Sequence, residues 1–168
     1  MKKIIFLIIL FFYTGSCLAQ VPFINKVRMM YDKAATQEKV CERLISLLAP
    51  YNENNNPLLL GYKASATMMT AKYVLNPFSK LSHFNKGKRL LDKAINADKD
   101  NLELRFLRLA AQTNTPSFLG YDDHIAADKN FLKKSLPQLT DMKLQKFIIS
   151  RMRNLNLLNE YPLKTTKP

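Results

Sequence analysis

The sequence predicts an all-α fold of about seven helices, and three observations carry that expectation. Beyond residue 20, apolar residues recur at helical spacing and never alternate long enough to make a half-buried strand. Only three glycines remain in that stretch, Gly61, Gly87 and Gly120. Prolines stand between the periodic segments, where they punctuate helices instead of breaking them. The 168 residues are 47% hydrophobic and 23% charged, which excludes wholesale disorder and suits one domain with a sizeable core. Two cysteines are too few for a disulfide scaffold.

The first residues read as an address. Lys2 and Lys3 precede the ten apolar residues Ile4–Tyr13, a run too short to cross a hydrocarbon core of about 30 Å as a helix. A small-residue cleavage site follows between Ala19 and Gln20, so residues 1–19 are expected to be a signal peptide that exports the chain to the periplasm or beyond. A transmembrane anchor would need a longer apolar run. Lipoprotein processing at Cys17 is a further alternative: Gly15-Ser16-Cys17 resembles the end of a lipobox, with Thr14 where that signal usually has Leu. Cleavage after Ala19 removes two lysines and lowers the net charge from +13 to +11. Residues 20–160 are then expected to form one helical domain, and 161–168 a flexible tail.

Each helix has its own signature. Phe23, Val27, Met30 or Tyr31, and Ala34 form one stripe, and Val40, Cys41, Leu44, Ile45 and Leu48 a second that stops at Pro50. Cys41 reads as a buried free thiol acting as a small hydrophobe. Asn56-Pro57 and Asn76-Pro77 are favourable helix starts, with Asn as the cap and Pro in the first turn. The third helix carries Leu59, Tyr62, Ala66, Met69 and Tyr73, among small residues that permit close helix approach. The fourth places Leu81, Phe84, Leu91, Ala94 and Ile95 inward. Asp100 is expected to open the fifth, with Glu103 completing a capping-box pair. Leu102, Leu104, Phe106, Leu107, Leu109 and Ala111 make that helix apolar on more than one side, and therefore central. A sixth helix begins near Asp122 or Asp123, carries Ile125, Phe131, Leu132 and Leu136, and ends before Pro137. Thr140 is expected to cap a seventh with Leu144, Ile148, Met152 and Leu155.

Short polar connections favour antiparallel neighbours. The stretch from Lys86 to Phe106 resembles the second helix of a tetratricopeptide repeat running into the first helix of the next. Gly87, Leu91 and Ala94 stand where that family has a small residue, a large apolar one and an alanine, and Ala97–Asn101 is similar to its usual turn. Upstream, Leu58–Ala64 echoes the Leu-Gly-x-x-Tyr part of the first helix, with Tyr62 displaced. The resemblance covers about residues 57–136 and implies antiparallel helical hairpins, at a unit spacing longer than the family's roughly 34 residues. The segment Arg105–Leu132 also resembles uncharacterised secreted proteins of Bacteroidota-type bacteria, a likeness that implies no activity.

Chemistry is sparse. His83 and His124 are not spaced as ligand pairs, so no metal site, cofactor or catalytic residue is expected. His124 and Asp128 share a helical face, a spacing that could orient a general base. The favoured reading has Asp122 and Asp123 capping a helix and complementing its dipole. The loop Pro116–Tyr121 holds two aromatics that either plug the core, with Gly120 permitting the turn, or form a binding edge with Tyr121 beside Arg105 or Arg108. Candidate binding residues are accordingly Arg105, Arg108, Phe118 and Tyr121. Basic residues are spread over the polar backs of nearly every helix, the pattern of a solvated surface, and export argues against nucleic acid. The expectation is a non-enzymatic module that offers a helical groove to a protein or peptide of the cell envelope. The alternative is electrostatic attachment of the basic faces to an anionic envelope surface.

Overall fold

The computed structural model describes residues 20–155 and Leu157. The expected signal peptide, Cys17 and the tail 161–168 lie outside the described residues. Seven α-helices follow one another: α1 Gln20–Ala34, α2 Glu38–Leu47, α3 Pro57–Met69, α4 Pro77–Ala97, α5 Leu102–Thr113, α6 Ile125–Ser135 and α7 Met142–Asn154. Short 3₁₀ turns at Thr70–Lys72, Ser117–Leu119 and Leu136–Gln138 complete the described chain, which has no strand. Among the described residues no helix is long and apolar enough to cross a membrane.

The helix starts show why the chain divides where it does. Asn56 accepts from the Leu59 N–H, and Asn76 from the N–H groups of Phe78 and Ser79, each directly ahead of its proline. The fifth helix is capped by Asn101, not Asp100: its side chain accepts from the Glu103 and Leu104 N–H groups, while Asp100 stays exposed. Asp141, not Thr140, caps α7, accepting from Lys143 and Leu144. Helix α6 starts only at Ile125 and has no side-chain cap, so Asp122 and Asp123 precede it without capping it. For α5 and α7 the cap lies one position from the polar residue expected. Neighbouring Asp, Asn and Thr are all competent caps, and tertiary packing selects among them.

One hydrophobic cluster runs through the molecule. Val27, Tyr31 and Ala34 of α1, Cys41 and Leu44 of α2, and Leu59, Leu60, Tyr62 and Ala66 of α3 meet Leu91, Ala94 and Ile95 of α4 in it. Leu104, Phe106, Leu107 and Leu109 of α5, then Leu132, Ile148 and Met152 of α6 and α7, close it. Helix α5 is central, as its two-sided apolar pattern implies. Helices α3 and α4 approach very closely: a Cβ on Gly87 would fall against Met68 and 2.6 Å from the Ala64 carbonyl oxygen. Cys41 is buried and free, and its thiol donates to the Ala66 carbonyl at 3.2 Å. Burial pushes that thiol's pKa up, which suits an inert packing role. Leu81 departs from the expected inward face and is 45% exposed.

Two buried carboxylates bind the helices further. Glu103 takes a two-pronged contact from Arg28, with Nε and Nη2 each at 2.8 Å, and the Tyr62 hydroxyl donates to the same carboxylate. Burial works against the charge on Arg28, but the hydrogen bond and charge of Glu103 outweigh it and raise the guanidinium pKa. Tyr62 is held far from ionisation by burial and then by that same carboxylate. Asp128 is the counterpart between α5 and α6, with Arg108 Nε and Nη2 at 2.7 Å and Arg105 Nη1 at 3.0 Å.

Candidate functional site

An apolar groove of about 810 Å³ opens among the described residues. Its floor comes from the core itself: Tyr31 of α1, Met68 and Met69 of α3, Phe84 of α4, and Phe106 and Ala110 of α5. The 3₁₀ turn carrying Phe118 and Leu119 forms one rim, and Pro77, Lys80 and Leu81 at the start of α4 form another. Asn154 and Leu155 at the end of α7 line it too. The rims are unusual for their exposed apolar side chains. Phe118 is 84% exposed and Leu81 45%. Burying Phe118 against a ligand would remove a large apolar area from water.

A polar wall crosses this groove. Asp32 and Arg151 pair at 2.6 Å, yet Asp32 Oδ1 and Arg151 Nε have no hydrogen-bond partner. Burial raises the Asp32 pKa, and the neighbouring Arg151 only partly opposes it. Lys72 and Lys80 add exposed positive charge. The arrangement is a mostly apolar pocket with a few fixed polar groups, the usual make-up of a binding site.

The four residues named from sequence do not form one site. Arg105 and Arg108 are turned onto Asp128, Arg108 is buried, and Arg105 also donates to the Lys99 carbonyl and lies over the Phe131 ring at 5.3 Å. Gly120, in the left-handed region at φ 57°, reverses the chain and separates the two aromatics. Phe118 points out at the groove, and Tyr121 packs edge-on to Phe84 with ring centroids 5.7 Å apart. The loop is therefore plug and edge at once. His124 is exposed while Asp128 is sealed inward, so that pair does not assemble as an oriented base.

Tyr121 and Arg108 instead share a smaller, polar cleft of about 260 Å³ with Lys88, Asp92, Asp123 and His124. Burial raises the Asp92 pKa despite Lys88, Arg108 and His124 nearby. Burial, then the charge of Asp92, holds the Tyr121 phenol well above its usual range. Asp123 moves the other way, lowered first by a hydrogen bond from its own backbone. Among the described residues no group of three or more His, Cys, Asp or Glu is placed to hold a metal ion.

Sequence reasoning missed the groove lining (Met68, Met69, Phe106) because those residues also fit a core stripe. Compared with known proteins, the chain matches no family model, no curated protein and no solved structure.

Proposed function

We propose that the chain is a non-enzymatic, exported helical module that seats an amphipathic peptide segment of an envelope protein in the apolar groove. The observation that carries this reading is the groove itself, about 810 Å³, with Phe118 exposed at its rim. Its charge pattern specifies the occupant. Lys72 and Lys80 favour acidic residues beside the apolar ones, and Met68 and Met69 supply flexible thioethers that adapt to varied apolar side chains. A helix presenting apolar residues at i, i+3, i+4 and i+7 suits such a groove.

The same reading takes the helices as antiparallel, tetratricopeptide-like hairpins. It is supported by the register of α3 on α4, where Gly87 meets Ala64 and Met68 while Leu91 lies near Gly61, further back along α3. Export rests on the basic and apolar opening of the sequence.

Screening an array of amphipathic peptides against the purified protein tests the proposal. The expected binders combine helically spaced apolar residues with Asp or Glu, and Phe118→Ser weakens them about tenfold, the loss of one buried aromatic anchor. Binding indifferent to Phe118→Ser and to Leu81→Ser overturns it. Capture on phosphatidylglycerol vesicles that vanishes in high salt and ignores Phe118→Ser would favour electrostatic attachment instead.

A further inference from the structure

We propose that the polar cleft between α4, α5 and the segment leading into α6 is a second ligand site, built for a small zwitterion of the amino-acid class. It is independent of the peptide groove. Phe84 lies between the two, lining the groove and stacking its edge on Tyr121.

Three observations point to a ligand. The Tyr121 side chain is only 3% exposed, yet its hydroxyl has no hydrogen-bond partner. Buried hydroxyls are nearly always satisfied, so one that borders a cavity marks a place for a polar guest. Asp92, also bordering the cleft, is half-buried and enters no hydrogen bond or ion pair with the described residues. Burial works against its charge, and Lys88, Arg108 and His124 around the cleft offset that only in part. Lys88, one helical turn before it, holds its ammonium 4.8 Å from the centroid of the Tyr121 ring, aimed across the same space.

The mixture of charges sets the class of guest. A simple anion would meet Asp92 and Asp123, and a simple cation would meet Lys88 and Arg108. A molecule carrying both charges satisfies each side: its ammonium on Asp92, its carboxylate toward Lys88 and Arg108, and a hydroxyl or N–H on the Tyr121 oxygen. Arg108 contributes charge and not a free fork, since Asp128 takes its Nε and Nη2. Size agrees, because about 260 Å³ is several times the roughly 30 Å³ that one water occupies in the liquid, and is small for a nucleotide or a sugar chain.

The test titrates L-serine into isotope-labelled protein and follows backbone amide resonances by NMR. Ethanolamine, which lacks the carboxylate, and 3-hydroxypropanoate, which lacks the ammonium, serve as one-charge analogues. Saturable shifts centred on Lys88, Asp92 and Tyr121 are expected with L-serine, with either analogue about tenfold weaker for the loss of one charged contact. Asp92→Asn, nearly isosteric, is expected to weaken L-serine about tenfold, and Tyr121→Phe about threefold. Lys88→Gln supplies a second variant should Asp92→Asn alter the fold. No saturable shift, equal affinity for a one-charge analogue, or undiminished binding by the folded variants each overturns the proposal.

Discussion

Glu103 and Asp128 are both carboxylates removed from water, 2% and 0% exposed, and both are matched by arginine. Their partners differ in reach. Glu103 draws Arg28 from α1 and Tyr62 from α3, 75 and 41 residues away along the chain. Asp128 draws Arg108 and Arg105, 20 and 23 residues away, both from the adjacent α5. The first is a long-range staple that fixes the middle of α1 against the central helix. The second joins neighbours and leaves Arg108 on the wall of an open cleft. A buried pair adds little net stability, but removing one partner strands the other charge, so the two sites should fail differently.

Glu103→Ala is the most damaging change foreseen. It leaves the Tyr62 hydroxyl without its acceptor and Arg28 with only Asn25 and the more distant Asp141, and is expected to cost about 3 kcal/mol in urea unfolding. A loss under about 1 kcal/mol would show that the staple is not structural. Asp128→Asn keeps the shape and one acceptor, so it should cost less, about 1–3 kcal/mol. Its signature is regional: amide exchange should rise in α6 before α1 to α4, and uniform acceleration would erase the contrast between the two carboxylates.

Gly87→Ala probes a helix contact made without charged side chains. Its Cβ would press on Ala64 and Met68, and a loss of about 1–3 kcal/mol is expected from overpacking. Thermal melts that leave Tm unchanged would mean that α3 and α4 part without cost.

Phe118→Ser should stay within about 0.5 kcal/mol of the parent while peptide binding falls, because an exposed ring contributes to recognition and not to the core. Asp92→Asn carries the smallest effect, and its sign depends on pH. Burial raises the folded-state pKa of Asp92 above the ordinary 3.8, so stability is greatest below that value and is lost as pH rises through the folded value. Asparagine should therefore stabilise the protein at pH 7 and change nothing near pH 3. Paired urea melts at the two pH values decide it, and equal differences at both would remove any pKa contribution.

Much of the fold was legible in the sequence because it rests on local physics. Asn56-Pro57 and Asn76-Pro77 start helices through short-range hydrogen bonds and a restricted φ, and both do so here. The stripes of α1, α2 and α7 face inward as their spacing demands. Where Asp100 was expected to cap and Asn101 does, the competing residues are chemically alike, and a small shift in packing chooses between them.

The sites were poorly legible. Glu103 carries a capping-box spacing, yet it turns inward because Arg28, far off in the sequence, is waiting beside Tyr62. Arg105 and Arg108 look like exposed cations until the fold brings Asp128 against them. Phe118 and Tyr121 lie three residues apart and part company at Gly120.

By itself, then, the sequence determined that the chain is helical, where most helices begin and end, and which stripes are apolar. These follow from period, propensity and capping within a few residues. Only the tertiary structure decided which charges are sealed, which aromatics remain in water, and that the Phe84–Tyr121 pair stands between the groove and the polar cleft. Those outcomes depend on pairings between residues tens of positions apart, and no local rule encodes which arginine will find which carboxylate.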